Sequence, residues 1–562
     1  YLPTTRQTLL FSATYPDEIA QLSANFQTDP VDIRIESETL NAQIKETFYK
    51  VDRVDRLQVI LRLLALHKPE STLIFCNQKH QCEQLKDDLW DEKLHASALH
   101  GDMEQRDRDS LLHPFTRADD FAAGRVPGQR IVQSASGIRV TDAYGRSVID
   151  GMSGMYCVNV GYGRKAIVDA IAEQASELPY YHIFAGASHP KAILLAEKLI
   201  ALTGGRMKRV FFGLSGSDAN ETQIKLVWYY HNIIGKPHKK KIIARQRGYH
   251  GATTMTASLT GLPNYHSGFD LPFALVKHTM APDAFWAPET DPRAFSQRCA
   301  DELERLILEE GPDTVGAFIA EPVVGSGGIL PPPPGYWEAI QPVLRKYDVL
   351  LIADEVITAF GRVGHMLAVD GYGIEADLIT LAKGLSSGYA PLSAAMVGPK
   401  VWQALQDGAR THGFFAHGYT YSAHPLGAAA ALANIQIIEE EGLCANATEV
   451  GAYLLQQLRE RLAGNPLVGD VRGAGLLQAV EFVAEGPPRR RLDATLKFSA
   501  QVAAFAMEEG LLARPLPVND IVGISPPLML TRSDADQVAE MLQRAITRAS
   551  AMLSTEQRRG TA

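Results

Sequence analysis

The stretch Val349–Gly364, VLLIADEVITAFGRVG, places an acidic residue directly after five apolar ones. A short apolar run of this kind favours a strand buried within a parallel sheet, with Asp354 at its C-terminal end. Ligands of open α/β sheets bind at that edge. Because a buried carboxylate is costly unless it meets a cation, Asp354 is either an ion-paired structural residue or the partner of a cationic ligand.

A second stretch, Asp377–Val397, DLITLAKGLSSGYAPLSAAMV, carries Lys383 at the end of another apolar run. Alone, Lys383 indicates no more than an ordinary lysine at a strand end, although a lysine entering a Gly/Ser loop can form a Schiff base. Pyridoxal phosphate requires a lysine for its aldehyde and an acid for its pyridine nitrogen. Together, Asp354 and Lys383 therefore predict a pyridoxal-phosphate site.

Two further segments fit this hypothesis. In Val210–Lys225, VFFGLSGSDANETQIK, a predicted strand ends at Gly213 and a helix is expected to begin near Ser217. A small-residue turn before a helix N-terminus suits a phosphate, although many such turns look alike. In GYHGAT, Tyr249 either stacks on a planar cofactor or is a core aromatic residue.

The motifs together give a specific resemblance. The segments LLIADEVITAFGRVG, TLAKG, SGSDANET, GYHG, EPVVGSGG and TYSAHPLGAAAA, in this order, resemble the class III (ω-)aminotransferases. These are pyridoxal-phosphate enzymes of fold-type I, and the resemblance covers residues from about 113 to 555. It implies that Lys383 holds the cofactor and moves a proton, and that Asp354 pairs with the pyridine nitrogen.

The resemblance also implies cofactor contacts and a homodimer with shared active sites. The implied contacts are Ser215, Gly216 and Ser217 at the phosphate, Val356 and Tyr249 on the two ring faces, His250 and Gly251 beside the ring, Glu321 near the ring hydroxyl, and Thr420, next to Tyr419, at the phosphate of the neighbouring subunit.

On the substrate side, the resemblance implies a ping-pong transfer from an amine, diamine or ω-amino acid to an oxo acid, with pyruvate expected. Arg514 matches an arginine that grips the acceptor's carboxylate, unless it is a surface residue. Tyr156 stands where many relatives carry Trp. A 4-aminobutyrate or acetylornithine-type aminotransferase, or an aminomutase, remains an alternative.

The N-terminal segment, residues 1–110, is different. Its runs QTLLFSATYP, TLIFCNQK and ALHGDMEQRDRD resemble a DEAD-box RNA helicase, with a helix expected over 79–89 after the strand STLIFCN. Neither a GxxxxGK[ST] phosphate loop nor DEAD carboxylates occur in the sequence. We therefore expect a truncated RecA-like α/β fragment, and an RNA-dependent ATPase or RNA-binding protein is the weaker alternative function.

The pattern from residue 113 onward predicts three parts. Residues 113–187 contain a β-hairpin around a YGR turn, residues 188–430 alternate strands and helices, and residues 431–556 mix helices and strands. The expected fold class is thus α/β: a large domain with a mostly parallel sheet that binds the cofactor, followed by a small α+β domain.

Composition limits the partners. The net charge of −9 and the absence of an apolar run near 20 residues argue against nucleic-acid and membrane partners. The five cysteines are scattered without a CxxC pair, which predicts neither a metal site nor a disulfide framework, and favours the cytoplasm. The basic run Lys239–Lys241 is expected to be a solvated turn.

Overall fold

The computed structural model describes residues 56–67, 72, 74, 76, 79–92, 94, 102–124, 131–518, 520–554 and 557–558. The chain divides into two compact units, residues 1–98 and 99–562. The predicted cofactor residues all belong to the second unit.

The described part of the first unit contains the helices Arg56–His67 and Lys79–Asp91. The second of these confirms the helix predicted after the run STLIFCN. The described residues of that run itself, Thr72, Ile74 and Cys76, are not in a strand. The predicted strand TLLFSAT lies outside the described residues, so the RecA-like arrangement stays a prediction.

The second unit begins with a small antiparallel sheet. Its first strands are β1 (Val132–Ser136), β2 (Arg139–Asp142) and β3 (Ser147–Asp150). Strand β2 pairs with β3 in antiparallel register, which confirms the predicted hairpin around the YGR turn.

A seven-stranded sheet forms the centre of the second unit. Its strands are β4 (Arg209–Gly213), β5 (Lys241–Arg245), β6 (Val276–Thr279), β7 (Val315–Ala320), β8 (Leu350–Asp354), β9 (Leu378–Leu381) and β10 (Ser393–Val397). They are ordered β4-β10-β9-β8-β7-β5-β6, and only β10 runs antiparallel to its neighbours. The predicted mostly parallel sheet is confirmed.

Helices cover both faces of this sheet, which explains why its strands are continuously apolar. Ile319 and Ile352 pack in one cluster with the helix Gly216–Ile233. The alternate residues Phe318 and Leu351 pack in the other, larger cluster, together with helices such as Tyr336–Lys346. Removing such apolar surface from water stabilises the fold by about 1.5–3 kcal/mol per large side chain.

Helices of the second unit connect and cover the strands. Their bounds are Asp102–Ser110, Ala118–Ala122, Ser153–Tyr156, Lys165–Glu177, Pro190–Leu202, Gly216–Ile233, Thr254–Leu259, Pro292–Glu310, Tyr336–Lys346, Ala368–Gly371, Pro399–His412, Pro425–Glu440, Leu443–Leu462, Phe498–Glu509 and Arg532–Met552, with 3-10 turns at Phe184–Gly186, Pro263–Tyr265, Ala284–Trp286, Lys383–Leu385 and Ala494–Leu496.

The C-terminal part contributes five strands, four of which form a sheet of their own. Its strands are β11 (Val468–Ala474), β12 (Leu477–Phe482), β13 (Leu511–Leu512), β14 (Arg514–Pro515) and β15 (Ile521–Ile524). Four of them are ordered β11-β12-β15-β14, whereas β13 pairs in parallel with β3. The predicted α+β character is confirmed, and β13 joins the N-terminal hairpin to the C-terminal part of the chain.

The prediction of a solvated turn at Lys239–Lys241 is wrong. Lys239 is only 2% exposed, and its Nζ donates to the carbonyl oxygens of Val315, Tyr347 and Asp348 at 3.0, 2.8 and 3.0 Å. Lys241 begins β5 and is ion-paired with Glu310. A run of charges in the sequence does not reveal that distant carbonyls converge on one of its members.

Replacing Lys239 by methionine is expected to lower the free energy of unfolding by about 3 kcal/mol, because buried carbonyls lose a charged donor. Denaturant unfolding would measure this. The matched control Lys165→Met changes an exposed lysine and is expected to unfold like the wild type. Equal midpoints for the two variants would contradict the structural role of Lys239.

The described residues also lack certain features. None of their helices is long and apolar enough to cross a membrane. They contain no group of three or more His, Cys, Asp or Glu residues arranged to hold a metal ion.

Candidate active site

A cavity lies where strands of the central sheet end. Strand β8 ends at Asp354, β9 leads into Lys383, and β4 leads into the turn at 214–217. Ten predicted site residues line this cavity: Ser215, Gly216, Ser217, Tyr249, His250, Gly251, Glu321, Asp354, Val356 and Lys383. The sequence therefore predicted half of the residues that line this cavity.

Asp354 is fixed by three donors. Its Oδ2 accepts hydrogen bonds from Asn220 Nδ2 at 2.8 Å and from His250 Nδ1 at 2.7 Å, and its Oδ1 accepts from Val356 N at 3.1 Å. The residue is 2% exposed. Three donors hold the carboxylate in one orientation, in which it can pair with a cationic group of a ligand.

Lys383 begins a short 3-10 turn directly beyond β9. The β8–β9 register pairs Asp354 with Thr380, so the lysine and the aspartate lie at the same sheet edge. Burial lowers the pKa of Lys383, while the charges of Cys157 and Asp354 oppose this shift. A neutral amine is the form that acts as nucleophile or base.

The turn after β4 forms a compact helix N-terminus. Ser215 Oγ accepts from Asp218 N at 3.2 Å, while the Asp218 carboxylate accepts from Ser215 N at 3.0 Å. Among the described residues, the N–H groups of Gly216 and Ser217 have no hydrogen-bond partner. Helix N-termini with free N–H groups bind anions such as phosphate.

Two glycines allow the segments around this turn to approach one another closely. A Cβ on Gly216 would lie 2.9 Å from both methyl groups of Val356. A Cβ on Gly251, whose φ is +137°, would lie 2.6 Å from Ser217 Oγ. The close approach of these three segments leaves a slot that larger residues would fill.

Glu321 also lines the cavity, and one of its carboxylate oxygens can accept a further hydrogen bond. Glu321 is buried, and burial raises its pKa. Its Oε1 accepts from Gly325 N at 3.3 Å, whereas its Oε2 forms no hydrogen bond among the described residues and lies 3.6 Å from Arg245 Nη2. The ring of Tyr249 packs edge-on against Tyr265, with centroids 5.7 Å apart.

The cavity matches the chemistry of pyridoxal phosphate. Three of its lining residues carry buried polar atoms without a hydrogen-bond partner in the described part of the chain: Asn220 Oδ1, His250 Nε2 and Glu321 Oε2. Such orphaned atoms are costly unless a ligand satisfies them. Together with the partly buried Lys383, the fixed Asp354 and the open helix N-terminus, they fit a phosphorylated ring that carries a positive charge and reacts with an amine.

The two predicted substrate residues lie together but do not line the cavity. The Arg514 guanidinium stands over the Tyr156 ring, 5.0 Å from its centroid. Tyr156 is 2% exposed, and neither its hydroxyl nor Arg514 Nη1 has a hydrogen-bond partner among the described residues.

Tyr419 and Thr420 also lie outside this cavity wall. The Tyr419 hydroxyl donates to the Asp218 carbonyl at 3.0 Å, and Tyr419 is thus engaged within its own chain. Thr420 is exposed, and its carbonyl accepts from the Tyr180 hydroxyl at 2.7 Å.

Sequence reasoning missed Asn220 and Cys157, which both line the cavity. Asn220 lies four residues beyond Gly216 on the same helix, and this spacing brings it to the same face. That spacing could have identified it. Cys157 directly follows Tyr156 in a kinked segment, and no periodicity marks its direction.

Comparisons with known proteins agree with this geometry. The family model described as Aminotransferase class-III matches residues 121–546, and that described as Helicase conserved C-terminal domain matches residues 54–122. An uncharacterized aminotransferase of Sinorhizobium fredii is 53% identical over 79% of this chain and 96% of its own length. A diaminobutyrate–2-oxoglutarate transaminase of Halomonas elongata is 50% identical over 81% of this chain and 98% of its own.

A comparison with solved structures also finds a transaminase of similar fold. An omega transaminase of Pseudomonas jessenii in complex with PMP is 40% identical and superposes with a TM-score of 0.76. The match covers 80% of this chain and 98% of that one.

Proposed function

Since the chain belongs to the class-III aminotransferases, pyridoxal-phosphate enzymes of fold-type I, we propose that it transfers an amino group from an ω-amino acid, amine or diamine to pyruvate. The observation that carries this proposal is the partly buried Lys383, which lines the same cavity as the fixed carboxylate of Asp354. Amino-group transfer requires a base next to an electron-withdrawing ring.

The residues divide the chemistry between them. Pyridoxal phosphate, when bound, supplies an aldehyde that takes up the amino group and a ring that withdraws electrons. Asp354 keeps the ring nitrogen protonated. Neutral Lys383 would hold on its Nζ the proton removed from the donor carbon that bears the amino group, and would release that proton later in the same half-reaction. The deaminated donor leaves before the oxo acid binds, so two half-reactions share one base.

The remaining cavity residues position the cofactor. The N–H groups of Gly216 and Ser217, next to Ser215, hold its phosphate, and Val356 and Tyr249 enclose its ring, with His250 and Gly251 alongside. Glu321 Oε2, which has no hydrogen-bond partner among the residues that the structure describes, serves the ring hydroxyl. The support for these roles is that each of these residues lines the cavity.

We also propose a homodimer in which Thr420 reaches the phosphate bound by the neighbouring subunit. Thr420 is exposed and lies beside the exposed aromatic residues Tyr180 and Tyr421, whose ring centroids are 5.6 Å apart. Phe184 and Phe414 are exposed as well. Exposed apolar clusters of this kind are typical of protein interfaces.

The acceptor is read by Arg514. Neither its Nη1 nor the nearby Tyr156 hydroxyl has a hydrogen-bond partner in the described part of the chain, so both can donate to one carboxylate. A guanidinium fork suits this bidentate task. The pair therefore favours an acceptor with a carboxylate next to its carbonyl.

Steady-state kinetics with paired acceptors tests this function. Arg514→Ala is expected to lower kcat/KM for pyruvate by about 10- to 100-fold, because a charge-assisted bond contributes roughly 1.5–3 kcal/mol. The value for an aldehyde that lacks a carboxylate is expected to change little. The matched control Arg305→Ala, at an exposed arginine, should affect neither acceptor.

Two outcomes would contradict the proposal. Equal losses with both acceptors would show that Arg514 does not read the carboxylate. A wild-type preference for 2-oxoglutarate over pyruvate would favour the alternative, a 4-aminobutyrate, acetylornithine or diaminobutyrate type of aminotransferase, which the name of the Halomonas elongata relative supports. Product formation without a net acceptor would indicate an aminomutase.

For the N-terminal part, we propose a helicase-like fragment at residues 1–110, separate from the enzyme segments 113–187, 188–430 and 431–556. The match of the helicase model to residues 54–122 supports it. The given sequence contains no GxxxxGK[ST] phosphate loop.

A further inference from the structure

The loop at residues 413–421, which carries Thr420, is attached to the helix Gly216–Ile233 by the side chain of His417. The His417 Nε2 atom lies 2.8 Å from Thr222 Oγ1, and its Nδ1 atom lies 3.1 Å from Lys225 Nζ. Because an ammonium group only donates, Nδ1 is the acceptor and Nε2–H donates to Thr222. Thr222 in turn donates to the carbonyl of Asp218 at 2.8 Å.

Two further contacts complete this attachment, which we call the His417 latch: His417, Tyr419, Thr222 and Lys225. The Tyr419 hydroxyl donates to the Asp218 carbonyl at 3.0 Å. The His417 ring also stacks on Phe211 in β4, with centroids 5.1 Å apart and an angle of 13° between the rings. The latch therefore holds the loop against the strand and the helix that form the turn at 214–217.

The latch is built for a neutral histidine. Burial, and then the charge of Lys225, lower the pKa of His417 to about 4. The Asp218 carboxylate, which would favour a protonated ring, is already engaged by Leu214 N, Ser215 N and Ser393 Oγ. At neutral pH both ring nitrogens thus keep the roles that the two hydrogen bonds require.

We propose that His417 is a positioning residue that presents Thr420 to the phosphate held by the neighbouring subunit. Thr420 lies three residues after His417, and beyond the latch its carbonyl is held by the Tyr180 hydroxyl. One helix then serves two sites: its N-terminus holds the phosphate of its own subunit, and its flank fixes the threonine that serves the other. The inference rests on the proposed function, in which Thr420 crosses the interface.

A double-mutant cycle on cofactor affinity tests this proposal. The Kd of pyridoxal phosphate is measured by fluorescence titration of the apo protein for the wild type, His417→Ala, Thr420→Ala and the double variant. His417→Ala is expected to weaken binding about tenfold when Thr420 is present, within the usual range of coupling between residues of one network. It should have almost no effect in the Thr420→Ala background.

Two further variants test whether a change in cofactor affinity comes from the hydrogen bonds of His417. In His417→Gln the side-chain amide can donate to Thr222 and accept from Lys225, so this variant is expected to recover most of the affinity and to remain informative if the alanine variant fails to fold. His238→Ala, at an exposed histidine outside the latch, should bind the cofactor like the wild type.

The results separate the role of Thr420 at the interface from the role of the His417 latch. If Thr420→Ala alone leaves the Kd unchanged, the role of Thr420 across the interface is wrong and the latch falls with it. If Thr420→Ala weakens binding but His417→Ala does not, or if the two effects are additive, the latch is wrong while the proposed function stands.

Discussion

Turnover is expected to fall by at least about 10³-fold when Lys383 is replaced by alanine, because proton transfer by a positioned base and covalent attachment of the cofactor are both lost. No other lysine lines the cavity in the described part of the chain. Burial lowers the pKa of Lys383, which favours the neutral amine that acts as nucleophile and base.

Borohydride treatment of the cofactor-loaded protein, followed by peptide mass analysis, identifies the attachment site directly. The wild type is expected to carry the added mass on the peptide that contains Lys383, and Lys383→Ala is expected to carry none. Lys198→Ala, at a surface lysine paired with Glu439, is the matched control and should keep both the label and the turnover. A label on another lysine would overturn the assignment.

The sequence predicted the site best where a functional side chain follows a buried strand. Asp354 and Lys383 each end an apolar run, and parallel strands bring such ends to one edge. The sequence predicted least where a side chain meets partners from distant segments. Carbonyls from two separate segments, at Val315 and at Tyr347 and Asp348, converge on the buried Lys239. Arg514 meets Tyr156 across more than three hundred residues of the chain.

The same distinction explains the residues around Asp354. The sequence places Asp354 at a strand end, but it does not show that Asn220 and His250 both donate to one of its oxygens. That arrangement depends on how the helix Gly216–Ile233 packs on the sheet. The other oxygen of Asp354, Oδ1, accepts from the backbone N–H of Val356, which lines the cavity. The fold thus determines the direction of a charge whose presence the sequence already indicated.

Neutralising that charge is the second change with a large expected effect. Asp354→Asn keeps the size of the side chain but removes the negative charge that would hold a proton on the cofactor's ring nitrogen. Losing one preorganised electrostatic partner lowers kcat by about 10²–10³-fold in enzymes, and we expect a loss of this size. The amide oxygen can still accept from Asn220 and His250, but the amide nitrogen cannot accept from Val356 N, so one of the three hydrogen bonds is lost.

The neighbouring residue provides a matched control, because Glu355 is also a buried carboxylate but points away from the chemistry. It accepts hydrogen bonds from Thr358 Oγ1 and from the backbone N–H groups of Ala368 and Val369. Burial raises the pKa of Glu355 to about 7. Glu355→Gln is therefore expected to lower the free energy of unfolding by about 1–3 kcal/mol, whereas kcat should stay near that of the wild type.

Steady-state kinetics and denaturant unfolding of both variants, with the absorbance of the bound cofactor, separate these effects. Asp354→Asn should lose turnover and shift the cofactor's visible band, since the ring nitrogen loses its ionic partner. Asp354 and Glu355 are both buried, but only Asp354 lines the cavity. Only the change at Asp354 should therefore lower kcat. Equal losses of kcat in the two variants would mean that general damage to this strand end, and not the charge of Asp354, limits turnover.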